Sequence, residues 1–251
     1  MELIRKGLCK VTVMLALIAI VSSLPVDQVI AQNSETSLQA VLSRYAGATR
    51  NSPTTDAELA RRLFRRGNTY SNLERYEEAI EEFEQCIAAD PNFAEGYRNL
   101  ANTYFFLERS QEAKPYYARF IALTLNEEPN TAIRAAITTM GQMERQDGNY
   151  EESIAFDLRA IELDPGNDSQ VHIMGNTYNN EGDAAKAILI YQAGIEAQPD
   201  NAFFYRTLGR LLEQEGRLEE ALTQYETAAE RDPESDFYAN LVETLRARLE
   251  R

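Results

Sequence analysis

Residues 168–201 read DSQVHIMGNTYNNEGDAAKAILIYQAGIEAQPDN, and residues 202–233 read AFFYRTLGRLLEQEGRLEEALTQYETAAERDP. Laid over one another, they pair Gly175 with Gly209, Gly182 with Gly216, Ala187 with Ala221, Tyr191 with Tyr225 and Pro199 with Pro233. The step is 34 residues throughout. Carried toward the N-terminus, with one insertion of six residues, it aligns Ala79, Ala113 and Ser153 with those alanines. It also aligns Gly67, Ala101 and Gly141 with Gly175. A period of this length marks stacked helical hairpins, each unable to bury a core alone.

Each recurring position has a physical reason. Glycine or alanine on a packed helix face lets a second helix come close. The alanine at the twentieth position of each unit is expected to meet that small residue from the partner helix. The aromatics at the eleventh and twenty-fourth positions (Tyr70, Tyr104 and Tyr178; Phe83, Tyr117, Tyr191 and Tyr225) fill the space around the contact. Gly148, Gly182 and Gly216 follow the first helix, where a left-handed cap needs φ > 0. Asp90-Pro91, Asp164-Pro165 and Asp232-Pro233 end the second helix, because proline cannot continue one.

This pattern resembles the tetratricopeptide repeat family. The resemblance implies an all-α, right-handed helical-repeat solenoid of antiparallel helix pairs. The units are expected at 60–93, 94–133, 134–167, 168–201 and 202–233. A capping helix over 234–251 follows, with Phe237, Tyr238, Leu241, Val242, Leu245 and Leu249 on its apolar side. Unit two has Leu125 where the terminal proline belongs, and Pro129 arrives late, which predicts a longer second helix. Pro115 predicts a kink or a delayed start there. Unit three carries Glu144 and Asp157 at the aromatic positions, so its core is expected to be the weakest.

The N-terminal region is of another kind. Arg5, Lys6 and Lys10 precede an apolar run from Val11 to Val21, and small or compact residues lead up to Ala31. Residues 1–31 read as a secretory signal peptide, with an uncleaved anchor as the alternative. That places the chain in an exported compartment, periplasmic, lumenal or secreted, with no membrane span after cleavage. Residues 32–59 form a polar lead-in. Within it Leu38, Val41, Leu42 and Tyr45 have helical spacing and are expected to cover unit one. Thr55 or Asp56 can cap the first repeat helix. Beyond Cys9, Cys86 is the second cysteine and reads as a buried structural thiol.

The formal net charge is −15, which argues against nucleic acid and anionic membranes as partners. Carboxylates concentrate on the second helices, as in Glu77, Glu78, Glu81, Glu82 and Glu84, whereas arginines outnumber acids on the first helices. The resemblance implies that first helices line a concave groove. On that face stand Arg61, Phe64, Arg65, Asn68, Arg98, Asn99, Asn102, Phe105, Gln142, His172, Asn176, Asn179, Phe203, Arg206 and Arg210. The ninth positions, Asn68, Asn102, Gln142, Asn176 and Arg210, make a ladder. Carboxamides offer donors and an acceptor to a peptide backbone, arginines favour carboxylates, and phenylalanines accept apolar side chains. The alternative is an ordinary polar solenoid surface. Some members of the family clamp a C-terminal carboxylate with two asparagines and several basic residues. Asn68 and Asn99 occupy the asparagine positions, but Phe64, Ala135 and Thr139 stand at basic ones, so the clamp is incomplete.

Catalysis is not expected. His172 is the one histidine, and neither a phosphate-binding glycine loop nor Cys/His ligand spacing occurs. No cofactor and no metal are expected. The partner is expected to be a protein or peptide, extended and neutral to acidic. The readings are a non-enzymatic interaction scaffold, a non-catalytic accessory subunit of an envelope enzyme or surface-polymer assembly, and a peptide-binding holdase.

Overall fold

The computed structural model describes residues 38–45 and 56–251. The expected signal peptide, the start of the lead-in and the link 46–55 lie outside the described residues. Every regular element among the described residues is a helix. Residues 38–45 are helical. Five pairs follow: α1 (Ala57–Asn72) with α2 (Tyr76–Ala89), α3 (Ala94–Phe106) with α4 (Ser110–Thr124), α5 (Thr131–Gln146) with α6 (Tyr150–Leu163), α7 (Asp168–Asn180) with α8 (Ala184–Ala197), and α9 (Ala202–Gln214) with α10 (Leu218–Arg231). The last helix is α11 (Asp236–Leu249), packed on α10 through Val242 and Leu245. Each helix packs on its mate and each second helix on the next pair, so the chain is an all-α helical-repeat solenoid. The core runs along the stack as one cluster, with a small satellite of Ala60, Leu63 and Cys86 in the first pair.

Helix ends follow from local chemistry. Asp56 accepts from the Leu59 amide at 2.9 Å and so caps α1. Asn130 accepts from the Ala132 and Ile133 amides at the start of α5. Gly148, Gly182 and Gly216 have φ of 76°, 81° and 75°. In the first two pairs the same turn position holds Glu74 and Glu108, at φ 59° and 58°. A side chain there is strained by its Cβ, at a cost of about 1–2 kcal/mol. Unit two differs from expectation. α4 begins 34 residues after α2 despite Pro115, so its start is not delayed. It has 15 residues against 14 in α2, and the inserted residues form turn and bend instead of more helix. Pro129 and the Asn130 cap already commit that segment to starting α5.

The close approach of mates involves the ring at the twenty-fourth position as well as the expected alanine. A Cβ built on Gly175 would run into the Tyr191 ring, and one on Gly67 would lie 2.6 Å from Phe83. The ring at the twenty-fourth position is therefore what a side chain at the small residue would meet first, with the twentieth-position alanine beside it in the fifth pair, where the Ala221 carbonyl lies 3.2 Å from a Cβ on Gly209. In the third pair the atom over Gly141 is an Asp157 carboxylate oxygen. That carboxylate is fully buried and pairs with Arg145. Tyr178 of α7 donates to it at 2.6 Å and lies 2.7 Å from the Ser153 hydroxyl. Glu144, also fully buried, accepts from Lys114 of α4 at 2.7 Å and from Asn149 at 2.8 Å. The third pair thus fills its aromatic slots with charges that are paired and hydrogen-bonded, as burial requires.

Helix 38–45 does not cover the first pair. Leu38, Val41 and Leu42 are buried as their spacing predicts, but Tyr45 donates to Glu144 and Arg44 pairs with Glu152. The segment therefore lies against the third pair, where the slot without an aromatic accepts Tyr45.

Candidate functional site

First helices expose one face along the stack, and second-helix tyrosines fix its amides from beneath. Tyr117 donates to Asn102 Oδ1 at 2.6 Å, and Tyr191 donates to Asn176 Oδ1 at 3.4 Å. Burial pushes both hydroxyls up to about 12, against the opposing pull of Arg98 on Tyr117 and of Arg210 and Arg206 on Tyr191. They stay protonated and donate at neutral pH. A carboxamide whose oxygen is held from below turns its NH₂ outward. Asn102 presents a donor in this way, whereas the Asn176 amide nitrogen lies 2.9 Å from His172 Nε2.

Clefts open between successive first helices. One of about 560 Å³ joins α1 to α3 and is lined by Asn68, Asn99, Asn102, Tyr76 and Phe106. Another of about 330 Å³, between α3 and α5, has Arg98, Asn102 and Tyr117 on its wall. A neighbour of about 640 Å³ adds Phe105 and Gln146. The cleft between α5 and α7 measures about 770 Å³ and is lined by Gln142, Thr138, Ile173, Met174 and Thr177 among others.

The structure brings most of the predicted residues onto this face. Asn68, Asn99, Asn102, Arg98, Phe105 and Gln142 line clefts. His172, Asn176, Phe203 and Arg206 form a second group over α7 and α9. His172 meets the Phe203 ring edge-on at 5.0 Å, and the Arg206 guanidinium lies 4.8 Å from that ring. Asn179 and Arg210 are half-buried on the same helices, and Arg61 and Arg65 are exposed on α1. Phe64 is a departure. It packs on Phe83 and Phe93, at 6.0 and 5.2 Å, and so belongs to the core of the first pair. Asn99 donates to Asn68 at 2.7 Å, so the two asparagines of the incomplete clamp hold each other. Sequence reasoning missed Phe106 and Ile173, exposed by 66% and 61% at cleft walls. Their signal was present, since an apolar side chain off the core stripe of a first helix stays largely in solvent, even where, like Phe106 on Tyr76 at 4.8 Å, it meets one ring.

Charge divides the cations into two sets. Arg75, Arg109, Lys114, Arg159, Lys186, Arg217 and Arg231, on second helices or at their starts, all form ion pairs. Arg119 lies instead near the Tyr97 ring, at 5.9 Å. On the first helices Arg66 and Arg145 are paired. Arg61, Arg62, Arg65, Arg98, Arg134, Arg206 and Arg210 have no carboxylate partner among the described residues. Arg98 donates only to Asn99 at 3.2 Å, and Arg206 only to Thr207 at 3.3 Å. In so acidic a chain, unpaired arginines on one face make a local site for anions. Burial pushes the Cys86 thiol up to about 12, so it is not a nucleophile.

Three family models described as tetratricopeptide repeat match the chain, at residues 60–93, 82–115 and 180–249. Together they span half of it. Among solved structures the chain is similar to MamA, with 22% identity, 71% of this chain and 94% of that one covered, and a TM-score of 0.48. It is also similar to YrrB, described as a TPR protein with an unusual peptide-binding site. There the identity is 19%, the coverage 72% and 90%, and the TM-score 0.45. No curated protein matches the chain.

Proposed function

Because this chain belongs to the tetratricopeptide repeat family, we propose that it is a non-catalytic scaffold that holds an extended peptide, neutral to acidic, against its first-helix face. One observation carries this reading. Except for Arg119, the cations on second helices or at their starts are paired with carboxylates of the chain, while the half-buried Arg98, Arg206 and Arg210 on the first helices have none among the described residues. A peptide carboxylate supplies the missing charge through charge-assisted hydrogen bonds. The Asn102 and Gln142 side chains serve the peptide backbone, and Phe105, Phe106, Ile173 and Phe203 receive apolar side chains. The proposed setting is an exported compartment, resting on the basic and apolar pattern of residues 1–31. No described helix is long and apolar enough to cross a membrane.

The test is binding of labelled extended peptides, acidic and basic, followed by fluorescence anisotropy. Acidic peptides are expected to bind more tightly and to weaken as salt rises. Joint Arg98→Glu and Arg206→Glu should lower their affinity by about tenfold or more, the equivalent of at least ~1.4 kcal/mol. Equal affinity of the double variant for acidic peptide would remove the assignment.

A further inference from the structure

The third pair carries a second docking surface, away from the groove. Its slot at the eleventh position holds Glu144, where the first, second and fourth pairs have Tyr70, Tyr104 and Tyr178. Glu144 is fully buried, and residues 38–45 reach it: Tyr45 donates to one oxygen, while Lys114 and Asn149 donate to the other. Beside it Glu152 takes Arg44. Lys114 also reaches Asp147 at 2.5 Å, so two carboxylates share one ammonium. A junction covered permanently would use an aromatic, as its neighbours do. A carboxylate with its own internal donors tolerates water when the cover leaves, and an aromatic would not.

The described part of the cover is the eight helical residues 38–45, with Leu38, Val41 and Leu42 buried. It docks through three aliphatic side chains at i, i+3 and i+4, followed by the Arg44-Tyr45 pair. Its Arg44 pairs with Glu152, on a surface where Lys114 already serves Glu144 and Asp147 and Lys186 serves Glu151.

We infer that this surface of the second and third pairs is a docking site for a short amphipathic helix, and that residues 38–45 are its resident, releasable occupant. The competing partner is a helical segment of the same chemistry: aliphatic residues at i, i+3 and i+4, with a basic residue and a hydrogen-bonding aromatic at its C-terminal end. It does not touch the groove ligand proposed above, so either assignment can fail without the other.

Two measurements test it. Val41→Asp with Leu42→Asp in the chain should undock the resident helix. A fluorescent peptide of residues 36–47 is then expected to bind that variant saturably, and at least tenfold more weakly to the unaltered chain, where the resident competes. Absence of binding to a variant with unchanged helical circular dichroism, or equal binding to both chains, would overturn the inference. Hydrogen exchange on the unaltered chain decides independently of how the variant folds. Amides of residues 41–45 should exchange at least a hundredfold faster than those in the middle of α5. Exchange as slow as that of α5 would show that the site never opens.

Discussion

The third and fourth helix pairs offer the same slots to different chemistry. In the fourth, Gly175 lies under the Tyr191 ring, and Tyr178 fills the eleventh position. In the third, Gly141 lies under the Asp157 carboxylate, and Glu144 fills the eleventh position. The fourth pair gains from apolar burial, which needs no partner and tolerates small shifts. The third depends on matched donors. Arg145 and Tyr178 donate to Asp157, with Ser153 bonded to the Tyr178 hydroxyl behind it; Lys114, Asn149 and Tyr45 donate to Glu144. These donors come from α4, α5, the turn before α6, α6, α7 and the N-terminal helix. The third pair is therefore where the stack is tied to its neighbours by polar groups, and where losing one partner strands another.

The largest break in this comparison is Arg145→Ala. It leaves Asp157 buried without its cation, and a loss of about 3–5 kcal/mol is expected in urea denaturation. Tyr191→Phe in the fourth pair removes hydroxyl contacts with His172 Nδ1 at 3.2 Å and Asn176 Oδ1 at 3.4 Å, neither of them charged, and should cost about 0.5–1.5 kcal/mol. Comparable losses at the two sites would mean that the charges of the third pair contribute no more than ordinary packing.

Acidity sharpens the contrast within the third pair. Burial pushes the Asp157 carboxyl above its ordinary 3.8, with Arg145 and Tyr178 pulling it back down. The folded chain then holds this proton more tightly than the unfolded chain does. Its contribution is full below the ordinary value and is lost as pH rises through the raised one. Asp147 behaves oppositely. The hydrogen bond from Lys114 holds it below 3.8, so its contribution is present above that value and is lost as pH falls. From about pH 4 upward the chain should lose stability relative to Asp157→Asn, whereas from about pH 4 downward it should lose stability relative to Asp147→Asn. Denaturation midpoints between about pH 3 and 7 measure both slopes.

The smallest effect lies outside the third pair, at the turns. Glu74→Gly and Glu108→Gly relieve positive φ values that Gly148, Gly182 and Gly216 already accommodate. Each should raise stability by up to ~1 kcal/mol, less what glycine adds to the freedom of the unfolded chain. A lower melting temperature in both variants would show that the glutamates are held there by contacts worth more than the strain.

Much of the groove was legible because the helical period fixes which side chains share a face. Asn102, Gln142 and Arg98 reached cleft walls on register alone. Phe64 did not, because a side chain at the margin of the stripe packs wherever a neighbouring ring offers a surface, and Phe93 lies close at hand. The reading of the third pair did not foresee the partners of Glu144 and Asp157. Their partners Lys114, Tyr45 and Tyr178 lie 30, 99 and 21 residues away, and no local pattern announces them.

The sequence by itself determined the helical class, the 34-residue step, the turns after first helices and the proline stops after second ones. These depend on backbone preferences acting over a few residues. Tertiary structure alone decided where helix 38–45 settles, which carboxylates are buried and which arginines go unpaired. Those outcomes depend on distances between groups far apart in the chain, and a Coulomb or hydrogen-bond energy is set by that distance and by exclusion of water, not by order along the sequence.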